Sequence, residues 1–173
     1  MAVTANQVIR QIEGDDVQEY PVAASTRIYQ GTLVFGTATG YADDDTGSGV
    51  NSFLGVADED VDNSAGAAGD KKVRVRIRGR FVLTGSSFAQ TDVGRPIHGT
   101  DNYTVTVTRS TSSVYVGVVR EFRSTTLHVV EIIPRAEPQA AIADAGATYT
   151  ATEQGIINSI IDVLEHNGMI DPS

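Results

Sequence analysis

Asp58, Asp60 and Asp62, in the stretch DEDVDNSAG, stand at the first, third and fifth places of an EF-hand-like loop. Alternate carboxylates at that spacing converge on Ca²⁺ in such loops. Asn63, however, stands where the turn glycine belongs, and Gly69 stands where a bidentate glutamate closes the loop. With no helix expected on either side, the stretch reads as a solvated acidic turn between strands. The cluster DDDTGSG at 43–49 brings three adjacent carboxylates. Adjacent acids on a loop rarely converge on one cation, so it reads as a solvated, mobile loop tip. His98 beside a turn, His128 in a strand and His166 near a helix end are scattered, without the H-x-x-x-H spacing of a zinc site. His166 fits the favourable interaction of a cation with a helix C-terminus. TGSG at 46–49 is no nucleophile elbow, and no glycine-rich phosphate loop precedes a helix. No catalytic, cofactor or metal residue is assigned, and the expectation is a protein that is not an enzyme.

The stretch with the clearest pattern is KKVRVRIRGRFVL at 71–83. Side chains alternate across a strand, so Val73, Val75 and Ile77 share one face while Lys72, Arg74, Arg76 and Arg78 share the other. A half-buried strand explains the alternation. Four like charges along one face repel modestly, and arginine suits planar carboxylates held by two hydrogen bonds. Asp58, Glu59, Asp60, Asp62 and Asp70 stand just upstream as partners on a neighbouring strand or a neighbouring subunit. Arg74, Arg76 and Arg78 are therefore candidate contact residues, and Gly79 ends the alternation, as at a bulge.

Composition narrows the possibilities. The 173 residues carry a net charge of −9, with 40% hydrophobic and 20% charged residues, seventeen glycines and no cysteine or tryptophan. An isoelectric point near 4.6 argues against nucleic acid as the main partner. Disulfides and thiolate metal sites are excluded. No apolar run approaches the length of a membrane span, and the first residues lack the pattern of a secretory signal. The expectation is a soluble protein with no membrane partner.

Nine short segments rich in Val, Ile, Thr, Tyr and Phe, bounded by turn formers, read as strands: 8–12, 17–22, 32–35, 52–57, 73–77, 80–84, 103–108, 114–121 and 125–133. That spacing predicts a mainly β fold, a small barrel or sandwich of short antiparallel strands over 15–135. Residues 1–14 read as an N-terminal arm or as a first strand; in the arm reading Val8, Ile9 and Ile12 would add to a sheet edge on a partner. FLGV at 53–56 and YVGV at 115–118 echo one another, each downstream of a Gly-Thr stretch, at Ile28–Thr32 and Ile97–Thr100. Shared turn chemistry suffices to produce that echo, so one β domain is expected.

Residues 136–149, rich in Ala and Pro, read as a linker. Beyond them, 150–173 predicts a helix. Thr150 and Glu153 form a capping box, and Gly168 and Pro172 provide a stop. Ile156, Ile157, Ile160, Ile161, Val163 and Leu164 make an apolar stripe at helical spacing. A lone helix of about four turns is marginal in water, so Ile157, Ile160, Ile161 and Leu164 are assigned to a contact with the barrel or a sister subunit.

The succession IYQGTLVFGTATG, SFLGVADEDVDNSAGAAGDKKVRVRIRGRFVL, DVGRPIHGTDNYTVTV, SVYVGVVREF and TLHVVEIIP, spanning about 27–134, resembles the small β-barrel head-decoration (capsid cement) proteins of tailed bacteriophages. The resemblance implies a structural virion protein, commonly a homotrimer at threefold or quasi-threefold sites. Its partners would be the major capsid protein and itself. It would lie on the capsid exterior after assembly in the host cytoplasm, with no cofactor. The alternative is a head fibre or host-surface, glycan-binding module, which the lack of Trp and the 6% aromatic content disfavour.

Overall fold

The computed structural model describes residues 4–7, 9, 11–13, 16–46, 52–110, 113–134 and 151–166. It is mainly β, with a small closed barrel and one C-terminal helix. In chain order the strands are β1 (Gln11–Glu13), β2 (Val17–Pro21), β3 (Thr26–Ile28), β4 (Leu33–Gly36), β5 (Ala42–Asp43), β6 (Ser52–Ala57) and β7 (Val61–Asn63). They continue as β8 (Lys72–Arg76), β9 (Arg80–Gly85), β10 (Pro96–Gly99), β11 (Thr104–Thr106), β12 (Val114–Ser124) and β13 (Leu127–Ile132). A 3-10 turn spans Gln90–Asp92, and the helix α1 spans Ala151–His166. The chain divides into two compact units, Met1–Ala136 and Glu137–Ser173.

The first unit holds two rings of the same topology. In one, the spatial order is β2-β8-β6-β4-β5, and a parallel bridge from Val22 to Ala42 returns the fifth strand to the first. In the other, the order is β9-β13-β12-β10-β11, with β11 returning to β9 in parallel. Each ring thus has four antiparallel pairings and one parallel closure, and its strands follow one another in the same relative chain order. Closure removes most of the edges that short strands would expose.

The correspondence extends to register. Leu33, Val34, Phe35 and Gly36 face Val56, Gly55, Phe53 and Ser52, with an irregularity between Val34 and Phe35. Pro96, Ile97, His98 and Gly99 face Val118, Gly117, Tyr115 and Val114, with an irregularity between Ile97 and His98. FLGV and YVGV are therefore structural counterparts, which corrects the reading of their echo as shared turn chemistry alone. The counterpart of IHGT, however, is VFGT at 34–37 rather than the stretch 28–32. Both glycines in the echo serve the same end. A Cβ on Gly55 would lie 2.2 Å from the Arg76 carbonyl oxygen, and one on Gly117 would lie 2.0 Å from that of Glu131. Each bulge presses its strand onto the next too closely for a side chain.

Two apolar cores follow from this arrangement. Val22, Ile28, Val34, Ala42, Ala57, Val61, Val73 and Val75 fill the first ring. The second core gathers Phe81, Leu83, Ile97, Val105, Val116, Val119 and Val130 with Leu33, Phe35, Phe53 and Val56, which come from the first ring. Strand β4 is therefore buried on both faces, and no hydrophobic–polar alternation appears in LVFG. Equivalent aromatic pairs occur at the paired bulges. Phe35 and Phe53 lie 6.0 Å apart, as do His98 and Tyr115, the latter edge to face. A Cβ on Gly99 would come within 3.0 Å of the Phe35 ring, so β10 lies directly against β4.

The expected strands all appear, with shifted ends. Four short ones, β3, β5, β7 and β10, were not expected, and they correct three readings. Val61–Asn63 is a strand paired with Thr26–Ile28, not part of a free acidic turn. Asp43 lies in β5 opposite Phe35, not at a solvated loop tip; 47–49 lie outside the described residues. His98 lies within β10 and is buried. Gly79, with φ 125°, stands at a corner where the chain leaves the first ring at β8 and enters the second at β9, rather than at a bulge within one strand.

Candidate functional site

The arginine ribbon lies on β8, between β2 and β6. Val73 and Val75 are wholly buried, while Lys72 and Arg74 are exposed and Arg76 is half-buried, as the alternation requires. Each cation meets a carboxylate of the same chain. Lys72 Nζ lies 3.6 Å from Glu19, and Arg78 Nε 3.2 Å from Asp16. Arg76 places both Nε and Nη2 2.8 Å from Asp58 Oδ1. Arg74 reaches Glu59 at 3.4 Å and Asp58 at 3.9 Å, while its backbone N–H donates to Glu59 Oε1 at 2.9 Å.

Within the chain, Arg74, Arg76 and Arg78 thus pair with Asp58, Glu59 and Asp16, while the Arg74 and Arg78 side chains stay 52% and 76% exposed. Register explains the arrangement: β2 runs antiparallel to β8 with Glu19 opposite Arg74, and the turn after β6 carries Asp58 and Glu59 to its other side. Sequence order suggested Asp58 and Glu59. It gave no hint of Asp16 and Glu19, which are distant in the chain. Exposed pairs of this kind contribute about 0.2–1 kcal/mol each, so the ribbon is chiefly a neutralised face.

The remaining acids of DEDVDNSAG are also engaged. Arg27, stacked over Tyr29 at 4.7 Å, approaches Asp60 at 3.3 Å and Asp62 at 3.5 Å. Hydrogen bonds from the Ser64 hydroxyl and backbone N–H hold Asp62 below the usual carboxylate range. Asp70 accepts from the Ala67 N–H at 2.7 Å. No group of three or more His, Asp or Glu side chains poised for a metal occurs among the described residues.

A second polar cluster lies in the other ring. Asp92, in the 3-10 turn, is 4% exposed and His128 on β13 is 0% exposed. Asp92 accepts from the Ala89 N–H at 2.8 Å and from Arg95 Nη1 at 3.0 Å, and its Oδ2 lies 3.6 Å from His128 Nε2. The Ala89 hydrogen bond, aided by Arg95 and His128 and opposed by burial, lowers the Asp92 pKa. The His128 ring stacks on Phe88 at 3.9 Å and meets Phe122 edge-on at 5.6 Å. His128 takes the place that Val73 holds in the first ring, so it is a core residue beyond the reach of a substrate.

The other candidate contact residues divide. Val8 lies outside the described residues, and Ile12 lies in β1, which pairs with β9. Ile9 packs against the second core. Beside it the Gln7 N–H donates to the Gln30 carbonyl at 2.9 Å, and Gly31, with φ 78°, leaves room that a side chain would fill. The described part of the N-terminal segment thus lies along the barrels. On α1, Ile161 is buried, Ile157 and Leu164 are half-buried, and Ile160 is exposed, as is Ile156. The linker 136–149 and Thr150, Gly168 and Pro172 lie outside the described residues. No described helix is long and apolar enough to cross a membrane.

Fold and surface together define a mainly β protein of two successive five-stranded rings, with a basic ribbon that pairs with carboxylates of the same chain. No family model matches the chain, and no curated protein or solved structure does either.

Proposed function

We propose that this chain is a structural virion protein that decorates and stabilises the outer surface of a phage capsid, with no catalytic step. It acts as a homotrimer at threefold or quasi-threefold positions, with the major capsid protein as its partner. The protein meets the shell in the host cytoplasm and stays on its exterior.

The observation that carries this reading is the duplication. Two rings joined by a common apolar core present the same backbone framework twice in one body, which suits contact with a lattice of repeated subunits. Modest contacts repeated over such a lattice sum to firm attachment. The stretch carrying the family resemblance, about 27–134, covers the second ring and the first ring apart from β2. Self-association is assigned to α1, where Ile156 and Ile160 are exposed.

The test is co-sedimentation of purified protein with expanded heads that lack it. Saturable binding at a fixed ratio to the shell subunit, with increased heat resistance of the heads, is the expected result. Absence of saturable binding would sink the reading.

A further inference from the structure

The two rings differ at one edge. In the second ring, β9 pairs with β13 on one side, and on the other side β1 docks at its beginning and β11 at its end. The register sets Gln11 opposite Phe81 and Glu13 opposite Arg80. In the first ring, β2 takes the part of β9. It pairs with β8 on one side and meets β5 only through the Val22–Ala42 bridge, the counterpart of the β11 contact. Among the described residues, no strand stands beside Val17–Glu19, where β1 has its counterpart.

The direction of the free backbone groups follows from the ladder. Ile77 N–H donates to the Asp16 carbonyl and Val22 N–H to that of Lys71, each at 2.9 Å. Antiparallel pairing alternates, so residues 16, 18, 20 and 22 address β8, while Val17 and Glu19 direct their N–H and C=O groups outward. The same parity holds in the other ring: Ile132 N–H donates to Gly79 and Gly85 N–H to Thr126, leaving Arg80 turned toward β1. Pro21, next in that outward parity, lacks an N–H and limits the open edge to Val17 and Glu19. Val17 is also one of the few large apolar side chains left exposed, at 42%.

We infer that the Val17–Glu19 edge of β2 receives an extended segment of the shell subunit, added antiparallel as β1 is added to β9. This rests on the capsid-binding reading above. The chemistry of the occupant follows from the register. Where β1 carries an acidic residue opposite Arg80, the incoming strand carries an apolar residue opposite Val17. Two positions away, it carries Lys or Arg opposite Glu19, which is half exposed beside Lys72.

The experiment uses full-length protein and expanded heads lacking it. Val17→Pro removes the outward N–H and leaves the β2–β8 ladder intact, because Val17 does not donate to β8. Loss of that bond is expected to weaken head binding about tenfold with an unchanged melting temperature. In parallel, hydrogen exchange at the Val17 and Glu19 amides of the unmodified protein should slow on binding. That readout does not depend on the variant folding. Bound protein whose two amides still exchange rapidly, or a folded Val17→Pro variant that binds as well as the parent, would overturn the edge assignment and leave the capsid reading standing. Failure of the parent protein to bind at all would remove the capsid reading, and the proposed occupant with it.

Discussion

Among the described residues, Asp44 carries the clearest response to pH. Burial, then the neighbouring Asp43 carboxylate, pushes its pKa up to about 6, while Asp43 accepts hydrogen bonds from the Asp44 N–H and the Thr26 hydroxyl. The folded state therefore holds a proton on Asp44 that the unfolded chain releases near the ordinary carboxylate value. Stability from this group is present below about pH 4 and is lost as pH rises through about 6. Asp92 acts in the opposite sense: its lowered pKa contributes above the ordinary carboxylate range and is lost in acid. Asp44→Asn should melt higher than the parent above about pH 6, with the two converging toward pH 4. Melting temperatures across that range check it, and a constant difference would refute the assignment. The sequence showed three adjacent acids and suggested only a solvated tip, because burial of Asp44 depends on how the turn after β5 folds back.

Elements were legible in proportion to their length. Strands β6, β8 and β12 announce themselves by five or more residues of Val, Phe, Tyr or alternating charge. A two-residue strand such as Ala42–Asp43 contains too little pattern to detect. The arginine ribbon was legible as an alternating strand, but its partners were not fully so, because Asp16 and Glu19 reach it only through long-range pairing. Duplication was hidden for a different reason. Lys72-Val73-Arg74-Val75-Arg76 occupies the register that Leu127-His128-Val129-Val130-Glu131 occupies in the other ring, and the two share almost no chemistry. What remains common is backbone geometry, visible in sequence only as the short matches FLGV with YVGV, around Gly55 and Gly117, and VFGT with IHGT. Replacing either glycine by Ala should therefore cost about 3 kcal/mol, since the new methyl meets a neighbouring strand's carbonyl. Gly40→Ala, at φ 84° with nothing within 4 Å, should cost only about 1 kcal/mol. Denaturant unfolding of the three variants measures the contrast, and similar losses at all three would argue against the paired bulges as matched constraints.

At the scale of the first unit, two similar rings raise the question of whether each is stable alone. A five-stranded ring with a core of small residues such as Val22, Ala42, Ala57 and Val73 buries little apolar area by itself. Leu33, Phe35, Phe53 and Val56 project from the first ring into the core of the second, and Phe35 lies against Gly99 of the equivalent strand. Much of the first ring's large apolar surface is therefore buried only when the second is folded. The rings should unfold together, in a single transition for the unit. Phe35→Ala leaves a cavity at the junction and should cost about 3–5 kcal/mol, a large share of a typical domain's stability. Amides of β8 in the first ring and β13 in the second should then lose protection to the same extent, although residue 35 belongs to only one ring. Native-state hydrogen exchange reads both strands in one experiment. Selective loss of protection in β8, with β13 unchanged, would mean that each ring stands on its own core and that the shared aromatics only pack the two together.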